Sequence, residues 1–189
     1  MKSREKTLLL LLGVAGLIYL FARTRTGSEL VAQVFDTSAS AAETGYETAR
    51  EIITNLTRGE RNNNPGNIRK GQAWQGLASD QPDSAFNTFI DPVWGIRALA
   101  KTLLTYQRSY GLATVNEIIS RWAPPAENDT SSYVRAVSNQ VGVNPQQPLN
   151  LTEPNTLTAL AAAIIHQENG RNIYSPSTVV AGVNAALNG

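Results

Sequence analysis

The 189-residue sequence contains no cysteine and a single histidine, and both shortages exclude whole classes of site. Without cysteine there is no disulfide framework, no thiol nucleophile and no thiolate metal site. His166 alone cannot supply the two imidazoles of an H-E-x-x-H metalloprotease. A G-x-S-x-G elbow, a phosphate-binding loop and an EF-hand loop are also missing. We therefore expect no metal site and no cofactor, which leaves carboxylates as the candidate catalytic groups.

Excess charge of one sign is missing as well. The chain has 16 lysines and arginines against 15 aspartates and glutamates, for a net charge of +1. A nucleic-acid-binding protein normally carries a basic stripe, and no such cluster occurs beyond the extreme N terminus. We therefore expect no nucleic-acid partner.

One uncharged apolar run is present, at residues 7–22, with lysines and arginines on both sides. As a helix it would extend about 24 Å, somewhat less than the ~30 Å hydrocarbon core, and the flanking basic side chains can snorkel to the interface. A signal peptide would look similar up to Ala22, but the following A-R-T-R-T-G has no small-x-small cleavage site. We predict an uncleaved transmembrane anchor over residues 1–25, in contact with a lipid bilayer through residues 7–22. Basic residues on both sides leave its orientation open.

Residues 26–57 change to Ser, Ala, Thr, Glu and Gly, and they contain an apolar seam in which Ala42, Tyr46, Ala49, Ile53 and Leu56 recur every three or four positions. This spacing predicts a helical stalk or linker. The seam covers barely two heptads, so it suits packing against a core as well as a coiled coil.

Residues 58–189 form the predicted folded domain, which we expect to be mainly α. Helical periodicity begins at Pro92 and stops near Gly111. A capping box at Thr114 starts a second helix that ends before Pro124. Further helices are predicted from Asp129 or Thr130 to Gly142, from residues 152–154 to Glu168, and after Pro176. Glycines and a proline between residues 70 and 89 predict a short irregular or hairpin segment instead of a helix.

The stretch E-R-N-N-N-P-G-N-I-R at residues 60–69 is the most unusual in the chain, because four asparagines, a proline and a glycine disfavour helix and strand alike. A loop this rich in amides can present hydrogen-bond donors and acceptors to a polar ligand. We predict that Asn62, Asn63, Asn64 and Asn67 bind substrate. The alternative is a turn held together by its own Asx hydrogen bonds.

Three glutamates are candidate catalytic residues: Glu168, Glu60 and Glu127. Glu168 extends the apolar stripe of its helix by one turn, after Ile164. A carboxyl in that position tends to lose hydration, which favours the protonated form that a general acid needs. Glu60 begins the asparagine-rich loop, and Glu127 lies in a loop where capping the next helix is the commoner role.

One carboxylic acid, a loop of amides and several aromatic rings are a suitable set for a polysaccharide. Amide side chains hydrogen-bond to sugar hydroxyls and N-acetyl groups, and aromatic faces stack on pyranose rings. The aromatic candidates for substrate binding are Trp74, Trp122, Tyr133 and Tyr174. If a single acid is essential, the nucleophile would come from the substrate itself, unlike the usual two-carboxylate scheme.

Six ordered motifs carry a resemblance to a known family: R-N-N-N-P-G-N-I-R, W-Q-G at Trp74, F-N-T-F at residues 86–89, D-P-V-W-G-I-R-A-L-A from Asp91, R-W-A-P-P-A-E-N-D-T from Arg121 and H-Q-E-N-G at His166. Over residues 59–182 the chain resembles phage and prophage virion structural proteins with a lysozyme-like or lytic-transglycosylase character. The resemblance implies a small lysozyme-like helical domain. It also implies a membrane-anchored virion protein, in the viral internal membrane, that opens peptidoglycan when the genome enters the cell.

Two alternatives to this function stay open. One is a non-catalytic virion protein that binds glycan or tethers the internal membrane to other virion proteins of the capsid or spike. The other is a wall-remodelling protein of the bacterial inner membrane.

Two resemblances to cell-wall glycosidases place the catalytic acid differently. Glu60 followed by Asn64 and Pro65 is similar to the E-S-x-x-N-P signature of lytic transglycosylases, with Arg61 in the serine position. The N-N-P-G-N-I-R, W-Q-G and F-N-T-F segments instead look like the part of bacterial glucosaminidases that follows the catalytic helix. In this chain the helix most like that one comes late, which implies a permuted site with Glu168 beside the asparagine-rich loop. We take Glu168 as the first choice and Glu60 as the second.

Overall fold

A computed structural model describes residues 50, 51, 53–126 and 128–189. The chain divides into two units, Met1–Leu56 and Thr57–Gly189. The predicted anchor at residues 1–25 and most of the predicted stalk lie outside the described residues, so both stay predictions. Of the stalk, residues 50, 51 and 53–55 are helical. In the described part of the chain, no helix combines the length and the apolar character needed to cross a membrane.

The second unit is built from helices, and the described residues contain isolated β-bridges but no strand. This confirms the mainly α fold. The helices are α1 (Arg58–Arg61), α2 (Pro92–Tyr110), α3 (Val115–Trp122), α4 (Thr130–Val141), α5 (Pro154–Asn169) and α6 (Pro176–Leu187).

The helix ends follow the capping signals in the sequence. Asp91 caps α2 by accepting a hydrogen bond from the backbone N–H of Val93, and Gly111 ends the helix in the left-handed conformation. Thr114 and Glu117 form the predicted capping box of α3. Asp129 caps α4, whose C-cap is Gly142. These predicted boundaries are confirmed.

The core lies between the long helices. Helix α2 packs against α5 and α6, and α5 also packs against α4 and α6. The closest approach of α2 and α6 depends on Gly182, because a Cβ there would lie 2.6 Å from Cγ2 of Ile96. Burying these large apolar side chains supplies most of the driving force for folding. The fully buried ones include Ile96, Leu99, Leu103, Leu104, Val115, Ile118, Ile119, Leu151, Leu157, Leu160 and Ile164.

The sequence predicts either an irregular segment or a hairpin between residues 70 and 89, and the structure shows an irregular segment. Two isolated antiparallel bridges, Arg69 with Phe86 and Leu77 with Phe89, hold it in place. A small second cluster of buried Ile68, Phe89 and Ala98 fixes this segment against α2, with half-buried Trp74, Leu77 and Trp94 packed around it. The segment therefore has an apolar anchor of its own beside the main core.

Candidate functional site

A pocket of about 690 Å³ opens beside the C-terminal end of α5. Its walls come from the asparagine-rich loop, the irregular segment, α2, and the connection from α3 to α4. Four residues predicted from the sequence line it, namely Asn67, Trp74, Trp122 and Glu168. The other lining residues are Gly66, Ile68, Arg69, Lys70, Gly71, Gln72, Phe86, Thr102, Tyr106, Ala123, Pro124 and Asn128.

Glu168 is held by three hydrogen bonds from three different parts of the fold. Its Oε1 accepts from the indole Nε1 of Trp122 at 2.9 Å and from the hydroxyl of Tyr133 at 2.9 Å. Its Oε2 accepts from Nδ2 of Asn67 at 3.1 Å. Helix α5 continues through Asn169, so the half-buried carboxyl has a fixed backbone position. The geometry thus fixes the Glu168 side chain at both oxygens.

Tyr133 supports the carboxyl of Glu168 from the core and does not line the pocket. Only 8% of Tyr133 is exposed, and this burial raises the pKa of its phenol well above the usual value of 10.0. The negative charge of Glu168 adds to the increase. Tyr133 therefore stays protonated and remains a hydrogen-bond donor throughout the neutral range.

Asn67 contacts Glu168 from the loop side. Its backbone has a φ of 48°, in the left-handed region that asparagine adopts more readily than most residues. The preceding Gly66 leaves room for the loop to approach α3, because a Cβ there would lie 3.3 Å from the Trp122 ring. The sequence N-P-G-N therefore brings the Asn67 amide to the pocket.

The other three predicted asparagines shape the loop and do not line the pocket. Asn62, Asn63 and Asn64 are buried, with 4%, 5% and 0% of their surface exposed. Asn64 donates to the carbonyls of Ile68 and Asn87 and accepts from the N–H of Ile68, while Asn63 donates to the carbonyl of Phe89. The hydrogen bonds between Asn64 and Ile68 hold the loop from within, as in the turn alternative, while Asn62 and Asn63 tie it to residues 83–89, and substrate binding by these three residues stays a prediction.

Glu60 also lies outside the pocket lining. Its Oε2 accepts from the backbone N–H of Thr57 at 2.8 Å in the capping box of α1. Nη2 of Arg171 lies 2.7 Å from both of its carboxylate oxygens. The carboxylate of Glu60 therefore fastens the start of α1 to the chain that follows α5.

Of the remaining predicted residues, Tyr174 does not line the pocket, and Glu127 lies outside the described residues. The Tyr174 hydroxyl is buried and has no hydrogen-bond partner among the described residues. Burial raises the pKa of its phenol, and the charges of Glu60 and Asp91 raise it further. Tyr174 therefore stays neutral, away from the Glu168 carboxyl.

Asn169, one residue beyond the predicted end of its helix, joins two walls of the site. Its Nδ2 donates to the carbonyl of Pro65 at 2.9 Å, and its Oδ1 accepts from the hydroxyl of Thr57 at 2.7 Å. Asn169 therefore fastens the asparagine-rich loop beside Glu168. The H-Q-E-N-G motif contains the residue, but nothing in the pattern indicates a partner about a hundred positions away.

Asp83 is a second supporting residue that the sequence did not indicate. It accepts hydrogen bonds from the guanidinium of Arg58, the amide of Asn62 and the backbone N–H groups of Ala85 and Phe86. The Arg58 guanidinium is the main reason that the pKa of Asp83 lies well below its usual range. Asp83 therefore ties the irregular segment to α1 and the asparagine-rich loop.

The lining also includes aromatic and basic side chains, among them Phe86 and Arg69, and Arg58, which is not part of the lining, packs on Phe86. Arg58 and Arg69 place their guanidinium carbons 4.4 and 5.3 Å from the centre of the Phe86 ring. Burial raises the pKa of Tyr106, and the neighbouring charge of Arg121 opposes that change. Within the described residues, no cluster of three or more histidines or acidic residues could hold a metal ion. The pocket therefore offers ring faces, amide and indole groups and one acidic side chain.

This combination suits a polar ligand with flat faces. Among the described lining residues, Glu168 is the single carboxyl, so acid–base chemistry in the pocket would centre on it. Donors on Oε1 stabilise the negative charge that remains when the carboxyl gives up a proton.

No family model matches the chain. The sequence is similar to Protein P5 of Pseudoalteromonas phage PM2, with 40% identity over 148 residues. The alignment covers 76% of this chain and 91% of the phage protein.

Proposed function

We propose that this chain, which belongs to the same family as Protein P5 of Pseudoalteromonas phage PM2, is a phage virion protein that cleaves the glycan strands of peptidoglycan in the Glu168 pocket. The observation that carries the proposal is the position of Glu168. It is the single carboxyl among the described lining residues, and it is held by three donors between two tryptophans and an amide loop. Family membership supports the phage context, and the pocket supports the chemistry.

The size and lining of the pocket support a glycan as the ligand. A volume of about 690 Å³ lies within the range of small-molecule sites, roughly 300–1,000 Å³. The rings of Trp74 and Trp122 can cover the apolar faces of sugar rings, as aromatic side chains do for flat ligands. Polar groups between them satisfy the sugar hydroxyls and N-acetyl groups. A chain with a repeating sugar backbone is therefore a suitable substrate.

Glu168 acts as the general acid in this proposal. It gives its proton to the glycosidic oxygen as the bond from that oxygen to the anomeric carbon breaks, and the leaving sugar keeps the electron pair as a hydroxyl group. Oε1 accepts from both Trp122 and Tyr133, and Oε2 accepts from Asn67, so the less occupied Oε2 is the better position for the proton. The hydrogen bonds to Oε1 strengthen as Glu168 becomes negative, which lowers the barrier.

The second half of the reaction needs a nucleophile, and the lining supplies no second carboxyl among the described residues. A hydroxyl of the substrate attacks the anomeric carbon and passes its proton to the Glu168 carboxylate, which restores the acid. Attack by the substrate itself closes an anhydro ring, as in a lytic transglycosylase. Attack by water gives a reducing end, as in a muramidase.

The proposed setting follows from the sequence. Residues 7–22 would anchor the protein in the internal membrane of the virion, and the unit Thr57–Gly189 would be its lysozyme-like domain. Cleavage would open the wall as the genome enters the cell. Contacts with other virion proteins are part of this proposal.

A second candidate is a virion protein that binds glycan without cutting it, and so tethers the membrane to capsid or spike. The observation that favours it is that three internal donors already occupy the Glu168 carboxyl. A carboxyl satisfied in this way can serve the fold alone. This candidate shares the pocket and its ligand with the first.

Mass spectrometry of purified sacculi incubated with the full-length protein separates the two candidates. We expect the wild-type protein to release muropeptides with anhydro or reducing ends, and Glu168→Gln to release none. Glu60→Gln is the matched control, because it changes a glutamate outside the pocket. Sedimentation of the wild-type protein with sacculi, without any released muropeptide, would overturn cleavage and leave binding.

A further inference from the structure

Two buried polar atoms at the pocket have no hydrogen-bond partner within the described residues. They are Oδ1 of Asn67, an acceptor, and the indole Nε1 of Trp74, a donor. Both residues line the pocket. Buried polar groups in folded proteins are nearly always paired, so each unpaired atom calls for an explanation. A ligand that offers one donor and one acceptor would satisfy both.

Asn67 cannot satisfy its own acceptor in the observed arrangement. Its Nδ2 donates to Oε2 of Glu168, and this hydrogen bond fixes the orientation of the amide. With Nδ2 on the carboxyl, Oδ1 is left for a partner that carries an N–H or O–H. The contact to Glu168 thus places the free acceptor next to the proposed acid.

Trp74 presents the complementary group. An indole N–H can only donate, so its partner has to be an oxygen or another acceptor. The ring packs against the small cluster of Ile68, Phe89 and Ala98. Trp74 belongs to the irregular segment, which is held by isolated β-bridges and not by a β-sheet. The side chains of Asn67 and Trp74 are both half-buried in the wall of the pocket.

We propose that Asn67 and Trp74 together bind the acetamido group of an N-acetylhexosamine, which makes them the specificity-determining pair of the pocket. The acetamido N–H donates to Oδ1 of Asn67, and the acetamido carbonyl accepts from Nε1 of Trp74. A secondary amide carries one donor and one acceptor, so it matches the two unpaired atoms. A 2-hydroxyl group carries its donor and its acceptor on one oxygen, so it lacks the separate N–H and C=O of the acetamido group. This inference rests on the proposed glycan ligand but does not require cleavage.

The same amide chemistry also occurs in the peptide stems of peptidoglycan, and a binding experiment distinguishes the two sources. Titration of the full-length wild-type protein with chitotetraose, cellotetraose and an isolated stem peptide compares an acetamido sugar, a hydroxyl sugar and a peptide amide. We expect chitotetraose to bind at least tenfold more tightly than cellotetraose, because a site built around a polar group rejects the analogue that lacks it.

Trp74→Phe keeps an aromatic ring and removes the N–H. We expect it to weaken chitotetraose binding about tenfold, consistent with the loss of one hydrogen bond, and to weaken cellotetraose binding less, so that the preference for chitotetraose falls. Trp94→Phe is the matched control, because Trp94 packs on the same small cluster but does not line the pocket. Asn67→Gly is the second variant; it keeps the left-handed backbone accessible and should also reduce the preference for chitotetraose.

Equal affinity for the two sugars, or a preference that persists in both pocket variants, would overturn the inference. Tighter binding of the stem peptide that depends on Trp74 would assign the amide to the peptide and overturn the acetamido assignment. Failure of the proposed cleavage looks different, because it leaves sacculi intact while the preference for chitotetraose remains. Cleavage of sacculi without such a preference would overturn this inference alone.

Discussion

Glu60 and Glu168 are the two candidate acids that the structure describes, and they lie in opposite kinds of environment. Glu60 caps a helix and pairs with the guanidinium of Arg171. Glu168 lies on the last turn of a long helix, faces a pocket and accepts hydrogen bonds from three neutral donors. The first carboxylate has a positively charged partner, whereas the second is oriented by neutral donors.

This difference indicates which of the two carboxyls is suited to catalysis. The Glu60 carboxylate closes the capping box of α1 and pairs with Arg171, so replacing it would weaken the start of α1. At Glu168 the neighbouring donors come from α3, α4 and the asparagine-rich loop, so the carboxyl joins elements that are distant in sequence. We therefore expect Glu60 to respond in stability measurements and Glu168 in activity measurements.

The largest expected effect is on the rate at which sacculi are cleared. Glu168→Gln should reduce the initial rate by about 10²–10⁴-fold, the usual contribution of a general acid. Glutamine has the same shape; its oxygen can accept from Trp122 and Tyr133, and its amide can donate to Oδ1 of Asn67 after that side chain rotates. The protein should therefore stay folded, and circular dichroism checks this.

Glu60→Gln in the same turbidity assay should clear sacculi within about threefold of the wild-type rate, because its carboxyl takes no part in the reaction. Equal losses in the two variants would break the comparison. A larger loss at Glu60 would reverse it and favour the lytic-transglycosylase alignment of the loop.

The asparagine-rich loop also contains residues of both kinds, since Asn64 holds the fold and Asn67 lines the pocket. Asn64→Ala should lower the free energy of unfolding by about 2–4 kcal/mol, because it leaves the backbone groups of Ile68 and Asn87 without their amide partner. Asn67→Gly should change it by no more than about 1 kcal/mol, since Asn67 is half-buried and donates to one carboxyl. Urea denaturation measures both, and similar losses would contradict the separation of roles.

The third effect concerns the donors behind the pocket. Tyr133→Phe removes one of two hydrogen bonds to Oε1 of Glu168 and should slow clearing about tenfold, which corresponds to about 1.4 kcal/mol. Because burial raises the pKa of Tyr133, the wild-type rate should not fall through ionisation of this phenol below pH 10. Tyr110→Phe, at an exposed site, is the control. An unchanged rate in Tyr133→Phe would show that Trp122 and Asn67 position the carboxyl without Tyr133.

The smallest effect is at the ion pair of Glu60. Arg171 is 53% exposed, so solvent screens the pair, and Arg171→Ala should lower the free energy of unfolding by no more than about 1 kcal/mol. High salt should shrink the difference further. Clearing should be unaffected, and a loss comparable to that of Glu168→Gln would place the reaction near Glu60 instead.

Much of the fold could be predicted from the sequence, because its signals are local. Proline at the start of a helix, a capping box and a glycine at the end each act within a few residues, so the bounds of α2, α3 and α4 follow from them. The apolar stripe of α5 likewise placed Glu168 on its buried side. The anchor and the stalk rest on equally local signals, but they lie outside the described residues.

The site was less accessible to such reasoning, because its contacts are distant in sequence. The sequence cannot distinguish the four asparagines of the loop, because their side chains are identical. Tertiary contacts decide that three of them are buried and that Asn67 lines the pocket. Asn169 and Asp83 hold the walls together through partners that no periodicity reveals. Tyr133 donates to Glu168 from within the core, a contact that its predicted role in substrate binding did not include.

The most direct test of the central claim uses the indole N–H resonances of the three tryptophans in the full-length protein. Trp74 and Trp122 line the pocket, and Trp94 does not. On titration with soluble glycan fragments of peptidoglycan, the account predicts that the Trp74 and Trp122 resonances shift together while Trp94 stays in place. Shifts confined to Trp94, or no shift at a fragment concentration that saturates binding to the protein, would contradict a glycan site at Glu168.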